Sequence, residues 1–446
     1  MDVTMRYGKS GLPVHLPAEW EVTVMRKRDM PVLPAPAAAV RAALEAPVDA
    51  RPLRESARGC GRACILICDA TRPVPNGLLL PALLDSLGAA GVPADRTTLL
   101  VATGLHRPCT EAERREVVGD AAVLHRVRVV DHVARNDADH VLVGTTRQGT
   151  PVRLDRRFVE ADVRVAVGLV EPHFMAGYSG GRKLIAPGIA HHQTITRIHS
   201  AGFLEDPRAA DGVLDGKPLH AELLEIAALA GGALALNVVL NEQRQVSFVN
   251  CGALAASHRA AVAFLRGFAE VPVARRFAVV LTSAAGDPLD RTYYQTVKGM
   301  VSALGALAPG GDLFIVSGCS ELGSPEFRTA QARLQEQGGE RFIRGLLAKP
   351  QAEVDEWETE MLLRATRAGR VHLYAPGLKA EDRALTCVEI VADLERELGA
   401  CLATARTPRL AVIPEGPYVI PVCAEPAASA GSAIGTQPLS ARQGTR

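Results

Sequence analysis

Residues 163–183, VRVAVGLVEPHFMAGYSGGRK, decide how this chain can fold. The stretch opens with an almost continuous apolar run, which is typical of a strand covered on both faces of a parallel sheet. A polar, glycine-rich loop comes next and ends in a lysine. Glycine lets backbone N–H groups approach a ligand closely, the N-terminus of a following helix would add its positive dipole, and the lysine favours an anion. The stretch therefore predicts an α/β domain whose ligand site comes directly after a strand.

The same order of apolar run, polar loop and helical stretch occurs twice earlier in the chain. The run ACILIC (63–68) leads into DATRP, and the run TTLLVA (97–102) leads into TGLHRP. Ligands of parallel α/β sheets bind beyond the carboxyl ends of the strands. We therefore expect the loops DATRP, TGLHRP and EPHFMAGYSGGRK to converge on one site.

Later runs of the same kind predict a second, smaller α/β domain. FAVVLTSA, GDLFIVSGC and VHLYAPGL have the character of strands, and DPLDRTYYQTVKGMVSALGAL that of a loop and helix. We expect an N-terminal domain with a largely parallel sheet and helices over residues 1–270, opening with a hairpin of VTMRY and LPVHL, and a C-terminal α/β domain over 271–405. Residues 406–423 are expected to return to the first domain as a strand. The tail 424–446 lacks apolar periodicity and is expected to be disordered.

The composition excludes several classes of protein. The 446 residues are 48% hydrophobic and 22% charged, and 50 basic side chains nearly balance 49 acidic ones. Such a chain has no global field that favours nucleic acid or a membrane surface. Its first residues are mixed rather than basic and then apolar, and no apolar run reaches the roughly 20 residues of a membrane helix. We expect a cytoplasmic protein without nucleic-acid or membrane partners.

The loop SGGRK and the histidines around it raise the question of a cofactor. Lys183, held among other cations, can lose its proton and become a nucleophile that binds a cofactor covalently. His199 lies beyond a turn at APGIAHH, and imidazole suits nickel, copper, zinc and iron. One histidine is too few for a metal held by protein alone, so a metal here would come inside an organic cofactor. The simpler alternatives are an anion-binding turn with a surface lysine, and His191 and His192 on a solvated surface.

Two further histidines each end a predicted strand, His106 in TGLHRP and His173 in EPH. A lone histidine is more often structural, but two at the ligand edge of one sheet favour proton transfer near neutral pH. Two such bases on opposite sides of one carbon would act on either enantiomer. Arg72 and Arg107 can grip a carboxylate or phosphate, and Asp69 can accept hydrogen bonds from ribose hydroxyls.

The second domain contributes its own candidates. YYQTVK sets Tyr294 and Lys298 at i and i+4 on one helix face, with Gln295 beside Tyr294. The alternative is an ordinary amphipathic helix with an exposed lysine. Trp357 lies in the charged stretch VDEWETE, where an interface or a lid over a site is more natural than a core.

The chain resembles the nickel-pincer-nucleotide lactate racemases and related 2-hydroxyacid racemases and epimerases. The segments that carry the resemblance are DATRP, TGLHRP, EPHFMAGYSGGRK with the PG, TI and H beyond it, and YYQTVKG. The resemblance runs in order over about residues 5–420. It implies an isomerase that interconverts stereoisomers at C2 by reversible hydride transfer. Lactate or another short 2-hydroxy acid is the default substrate, and the active site is expected in the cleft between the two domains.

The resemblance also implies a cofactor and a role for each matched residue. The cofactor would be pyridinium-3,5-bisthiocarboxylic acid mononucleotide nickel, joined covalently to Lys183 and loaded with the help of cofactor biosynthesis enzymes. His199 would complete the coordination of nickel, and His106 and His173 would shuttle protons. The other matched residues would bind the cofactor, namely Asp69, Arg72, Ser179, Gly180 and Gly181, or the substrate, namely Arg72, Tyr294, Gln295 and Lys298.

Two other functions stay open at this point. An NAD-dependent 2-hydroxyacid dehydrogenase would need a glycine fingerprint after an early strand, and ACILICDATRPVP has none. A non-catalytic nucleotide- or cofactor-binding protein would hold the cofactor without racemising any 2-hydroxy acid.

Overall fold

Two six-stranded sheets organise the chain in a computed structural model, which describes residues 1–424. The strands are β1 (Asp2–Met5), β2 (Leu12–His15), β3 (Glu21–Val24), β4 (Ala63–Cys68), β5 (Thr97–Ala102), β6 (Arg128–Asp131), β7 (His140–Thr145), β8 (Pro151–Asp155), β9 (Val163–Leu169), β10 (Pro172–His173), β11 (Gly177–Tyr178), β12 (Leu234–Leu240), β13 (Val246–Ala253), β14 (Glu270–Val273), β15 (Phe277–Ser283), β16 (Leu307–Val316), β17 (Gly369–Tyr374), β18 (Glu389–Ile390), β19 (Arg409–Ile413) and β20 (Ile420–Cys423).

Helices cover the faces of both sheets. They are α1 (Pro36–Glu45), α2 (Leu53–Ser56), α3 (Asn76–Ala89), α4 (Glu111–Val118), α5 (Ala121–Arg126), α6 (Arg156–Val159), α7 (His192–Ile198), α8 (Ala201–Leu204), α9 (Pro218–Leu229), α10 (Leu254–Ala269), α11 (Tyr293–Ser302), α12 (Pro325–Gln337), α13 (Gly339–Leu347), α14 (Glu356–Ala368), α15 (Ala380–Arg383) and α16 (Leu394–Thr404).

The first sheet has the strand order β13-β12-β9-β4-β5-β6 and is parallel except for β13, which runs antiparallel to β12. Successive residues of its central strands face two different apolar clusters. Ile65 and Val165 belong to the cluster on one face, and Leu66 and Ala166 to the cluster on the other. Both faces are covered, which explains why these strands are continuous apolar runs rather than alternating ones.

The three predicted site loops come after neighbouring strands of this sheet. β4 pairs with both β5 and β9, so the segments after Cys68, Ala102 and Leu169 leave the same edge side by side. The predicted α/β class with a largely parallel sheet is confirmed.

The second sheet is parallel throughout and has the order β18-β17-β16-β15-β19-β3. The prediction that residues 406–423 return to the first domain is therefore wrong for β19, which lies between β15 and β3 in the second sheet. The sequence of β19 is simply that of a buried strand, and only its long-range pairing decides which sheet it joins. β20 pairs in parallel with β14.

The N-terminal residues also belong with the second sheet rather than with the first. The predicted hairpin is present as the antiparallel pair of β1 and β2. Its buried Met5 and Val14 share an apolar cluster with Val279 and Leu281 of β15. The predicted domain over residues 1–270 therefore begins with a segment that packs on the other unit, because that is where its apolar side chains find cover.

Polar contacts from α14 tie the two units together. Arg367 forms a two-pronged ion pair with Glu205, with nitrogen-to-oxygen distances of 2.7 and 2.9 Å. Arg364 donates to the carbonyl oxygens of Asp206 and Ala209. Helix α14 is therefore held against the end of α8 in the first unit.

No helix within residues 1–424 combines the length and the apolar character that crossing a bilayer requires. The tail 424–446, predicted to be disordered, lies outside the described residues apart from Ala424, whose N–H donates to the carbonyl oxygen of Val273 at 3.1 Å.

Candidate active site

A cavity of about 470 Å³ lies between the two units. The loops after β4, β5 and β9 form one side of it, and helices α11 and α14 form the other. Every predicted site residue lines this cavity except Gly181: Asp69, Arg72, His106, His173, Ser179, Gly180, Lys183, His199, Tyr294, Gln295 and Lys298.

The glycine-rich loop is shaped mainly by packing against the protein itself. Gly181 has a φ of +52°, and a Cβ there would come within 2.9 Å of the His258 ring. The Ser179 hydroxyl donates to the carbonyl oxygen of Leu169 at 2.7 Å. The loop continues into a short 3-10 turn, Gly181–Leu184, rather than the α-helix N-terminus that we expected. The loop therefore places Lys183 in the cavity wall, beside Ser179 and Gly180.

The amine of Lys183 faces the imidazole of His173, with 2.8 Å between Nζ and Nε2. The other ring nitrogen of His173, Nδ1, accepts the backbone N–H groups of Met175 and Ala176, each at 3.3 Å. The one hydrogen of a neutral imidazole therefore sits on Nε2, and Lys183 can accept it only as an uncharged amine. Burial, followed by the positive charge of Arg72, lowers the pKa of Lys183 well below its usual range.

His106 lies on the open side of the cavity and is held by Asp69. The distance from His106 Nδ1 to Asp69 Oδ2 is 2.6 Å, and Asp69 is only 8% exposed whereas the His106 side chain is 58% exposed. Burial alone would raise the pKa of Asp69, but the hydrogen bond and charge of His106 and the hydrogen bonds of Thr71 lower it overall. An ionised Asp69 keeps the hydrogen of His106 on Nδ1, so Nε2 carries a free lone pair, the arrangement of a general base.

His199 directly follows helix α7, and one of its ring nitrogens is engaged while the other is free. Its Nδ1 donates to the carbonyl oxygen of Ile195 at 2.8 Å, which leaves the lone pair on Nε2. Burial lowers the pKa of His199 to about 4, so the ring is neutral at physiological pH. The ring lies 4.6 Å from that of Trp357, centroid to centroid, and Trp357 Nε1 donates to Tyr294 Oη at 3.1 Å. Trp357 therefore contacts the first unit, but it is buried in an apolar cluster, so the expectation of an interface or lid rather than a core holds only in part.

The second unit contributes a cation and an unpaired amide to the cavity. Lys298 Nζ lies 5.8 Å from the centre of the Phe174 ring, so a residue of α11 reaches across to the first unit. Burial, followed by the charge of Arg72, lowers the pKa of Lys298. Gln295 Oε1 is buried and has no hydrogen-bond partner among the described residues. Arg72 and Lys298 together form a cationic patch suited to a small carboxylate.

Two sequence-based expectations about neighbouring residues are wrong. Arg107 resembles Arg72 in its local sequence, but it points away from the cavity and pairs with Glu113 at 2.6 Å. His191 is completely buried rather than solvated, with its ring 4.2 Å from that of the partly buried His192.

An acidic wall of the cavity is a feature that sequence reasoning missed. It consists of three acidic side chains of the second unit, Glu326, Asp355 and Glu358. Two of them belong to the stretch VDEWETE, whose charges are typical of a solvated helix face. The packing of α14 against α11, α12 and the second sheet, together with its contacts to α8 of the first unit, turns part of this stretch inward.

A cleft with a buried lysine, a histidine held by a carboxylate and a cationic patch has the groups of an enzyme that acts on a small organic anion. Comparison with known proteins identifies the family. Residues 7–212 match the lactate racemase N-terminal domain, and residues 273–421 match the lactate racemase C-terminal domain. The chain therefore belongs to the lactate racemase family, and it is an isomerase of the racemase type.

Individual relatives agree with this assignment. A lactate racemase from Thermoanaerobacterium thermosaccharolyticum is 33% identical over 380 residues, which are 81% of this chain and 85% of the relative. A lactate racemase from Lactiplantibacillus plantarum is 34% identical over 282 residues, 63% of this chain and 66% of the relative.

Solved structures extend the comparison to the fold. The lactate racemase apoprotein from Thermoanaerobacterium thermosaccharolyticum superposes with a TM-score of 0.86 and 30% identity, covering 94% of this chain and 100% of that one. A Thermotoga maritima protein with 16% identity and a TM-score of 0.66, covering 89% of this chain and 99% of that one, shares the fold alone. Membership of the family implies a nickel-dependent cofactor and a small hydroxy acid as substrate.

Proposed function

We propose that this protein interconverts the stereoisomers of lactate or another short 2-hydroxy acid at C2, with a nickel-pincer nucleotide held in the cleft. The observation that carries the proposal is that one cavity holds two groups, one suited to covalent attachment of a cofactor and one suited to binding nickel. Lys183 presents an uncharged amine, and His199 presents a neutral imidazole with a free Nε2. A neutral amine can form a covalent bond to a carbonyl-type carbon, and a neutral imidazole is a good ligand for nickel.

The residues present fit such a cofactor in further respects. The cavity of about 470 Å³ is large for a short hydroxy acid alone and leaves room for a second, larger molecule. Gln295 Oε1 is buried without a partner among the described residues, as expected of a group that pairs with a ligand. Lys183 would hold the nucleotide, and His199 would bind its nickel. When bound, the nucleotide would supply the hydride acceptor and donor at substrate C2.

The residues of the chain would carry out the remaining steps. His106 would take the proton of the substrate hydroxyl through Nε2, while Asp69 stabilises the imidazolium that results. His173 would serve the opposite enantiomer from the other histidine-bearing loop. Arg72 and Lys298 would hold the substrate carboxylate and so fix C2 between the two histidines.

The wider setting of the protein is part of the same proposal. A cofactor of this kind requires biosynthetic enzymes to load it, and we propose that these are transient partners in the cytoplasm.

The test is to express the chain together with the cofactor biosynthesis enzymes and nickel. We expect a nucleotide-sized adduct on the peptide that contains Lys183, about one nickel per chain, and racemisation of a 2-hydroxy acid. Substrate deuterated at C2 should keep its deuterium in both enantiomers, because a hydride does not exchange with water. Loss of the label to solvent would instead indicate proton abstraction and contradict the proposed chemistry.

A matched pair of variants separates nickel binding from attachment. His199→Ala should keep the adduct on Lys183 but lose nickel and turnover. His192→Ala, at the other end of α7 and outside the cavity lining, should behave as the wild type. Full nickel occupancy in His199→Ala would show that another group binds the metal. A protein that carries adduct and nickel but racemises no 2-hydroxy acid would favour a non-catalytic binding function.

A further inference from the structure

The buried carboxyl group of Glu358 has no role in the site described so far. Glu358 is only 1% exposed, yet it lines the cavity from helix α14. Its Oε1 is buried without a hydrogen-bond partner among the described residues. A buried polar atom left unpaired is destabilising, so such an atom at the wall of a cavity indicates a partner that arrives with a ligand.

Two of the polar groups around Glu358 are engaged elsewhere. Tyr294 Oη accepts from Trp357, and the carboxylate of Asp355 accepts from the Ser324 hydroxyl at 2.5 Å. Lys298 and Asp355 are the charged groups that face Glu358. Burial raises the pKa of Glu358, with Lys298 lowering it and Asp355 raising it further, so the group keeps a proton more readily than an ordinary glutamate. A protonated carboxyl group both donates and accepts, which is what a hydroxyl partner requires.

We propose that Glu358 binds a hydroxyl group on C3 or C4 of the substrate, so that the preferred substrate is a polyhydroxylated 2-hydroxy acid rather than lactate. This inference rests on the proposed function. Lys298 and Glu358 would then act together, Lys298 holding the carboxylate and Glu358 binding the far end of the same molecule. Lactate ends in a methyl group, which would leave Glu358 unpaired when the cavity closes around it.

The location of Glu358 favours the substrate over the cofactor as its partner. The groups proposed to hold the cofactor, Lys183 and His199, come from the first unit. Glu358 comes from the second unit and faces Lys298, which is proposed to hold the substrate. Sites that hydrogen-bond a substrate hydroxyl reject analogues that lack it far more strongly than apolar pockets reject an added group.

The experiment compares kcat/KM of the loaded enzyme for lactate, for glycerate, and for a four-carbon 2,3,4-trihydroxy acid. We expect the hydroxylated acids to be preferred by about 10- to 100-fold, the range set by one unpaired buried polar group. Glu358→Leu should remove this preference, because it should lower kcat/KM for the hydroxylated acids far more than kcat/KM for lactate. Glu358→Gln should keep part of it, since an amide can still bond a hydroxyl.

Glu360→Gln is the matched control. Glu360 lies on the same helix and is also 1% exposed, with an Oε1 that has no partner among the described residues, but it does not line the cavity. Its substitution should leave the substrate preference intact. An equal or greater kcat/KM for lactate in the wild type would overturn the inference while leaving the racemase function standing. The inference would also be overturned if Glu358→Leu lowered kcat/KM equally for all substrates, or if this variant no longer carried the adduct on Lys183. Failure of the loaded wild type on every acid would refute the proposed function itself.

Discussion

Replacing Asp69 with asparagine tests the idea that His106 is a base whose hydrogen is fixed by a carboxylate. The two oxygens of Asp69 have different partners. Oδ2 accepts from His106 Nδ1 at 2.6 Å, and Oδ1 accepts the N–H of Thr71 at 3.1 Å as well as the Thr71 hydroxyl. Asparagine has only one oxygen, so it must choose between these two directions.

The choice is decided by the backbone N–H of Thr71, which can only donate. If the asparagine oxygen turns toward Thr71, its NH₂ group faces His106 Nδ1, and the histidine hydrogen must move to Nε2. The lone pair needed for proton abstraction then disappears from the side that faces the cavity. The opposite orientation keeps the lone pair on His106 Nε2. It leaves two donors, the asparagine NH₂ group and the Thr71 N–H, facing each other.

That opposite orientation costs about 1–2 kcal/mol, because it brings two donors together at a partly buried position and leaves the Thr71 N–H without its acceptor. The productive form is then reduced about 5- to 30-fold, since 1.4 kcal/mol is a factor of about ten. Loss of the negative charge beside the His106 imidazolium adds to this. We therefore expect kcat of Asp69→Asn to fall by about 10²- to 10⁴-fold, within the range of general acid–base catalysis.

The assay is steady-state racemisation by protein in which the Lys183 adduct and nickel have been quantified, so that a loading defect is not mistaken for a catalytic one. Arg107→Ala is the control, because Arg107 neighbours His106 in sequence but pairs with Glu113 outside the cavity. It should keep wild-type kcat. If fully loaded Asp69→Asn kept kcat within about threefold of the wild type, Asp69 would not control the hydrogen of His106.

Three further outcomes are expected from the same structure. In the apoprotein, Lys183 should be acylated near pH 7 well before exposed lysines such as Lys379, because burial lowers the pKa of Lys183. Mass spectrometry would measure the labelling of each lysine, and equal labelling would mean that Lys183 is an ammonium. His106→Ala and His173→Ala should each abolish racemisation by loaded protein, and full activity in either would refute the two-base assignment. Glu360→Gln should raise the free energy of unfolding at pH 8 by about 1–3 kcal/mol and by little near pH 4, as measured by chemical denaturation. Burial raises the pKa of Glu360 to about 8 from 4.5, so between these pH values the unfolded chain releases the proton while the folded state keeps it. Stability therefore falls as the pH rises through that window, and an unchanged stability at pH 8 would contradict this.

The sheet that bears the site could be predicted because its strands and loops are specified by short, local stretches of sequence. The runs around Ile65, Leu99 and Val165 are apolar on both faces, and each leads directly into a polar loop. Parallel strands bring such loops to one edge whatever the strand order. The convergence of DATRP, TGLHRP and EPHFMAGYSGGRK therefore needed no knowledge of which strand neighbours which.

Features that depend on long-range packing could not be predicted in this way. Nothing in the sequence of β19 tells that it joins the second sheet, because its Leu410 and Val412 would suit any buried strand. The pattern around His191 and His192 is that of a solvated turn, yet His191 is buried against the His140 ring at 5.0 Å. Glu358 has the sequence context of a charged helix face, and its burial results from the packing of α14 on α11 and the second sheet as well as on α8 of the other unit.

Those contacts also explain why the site needs both units. Burial is the largest cause of the lowered pKa of Lys183, and Lys298 of the second unit adds to it together with Arg72. Moving the second unit away would return water to the amine and withdraw one neighbouring cation, and both changes favour the ammonium form. An ammonium group is no nucleophile, so the reactivity of Lys183 depends on the packing of the second unit over the cavity. The same unit places Trp357 against His199, so it covers both the group suited to attachment and the group suited to nickel.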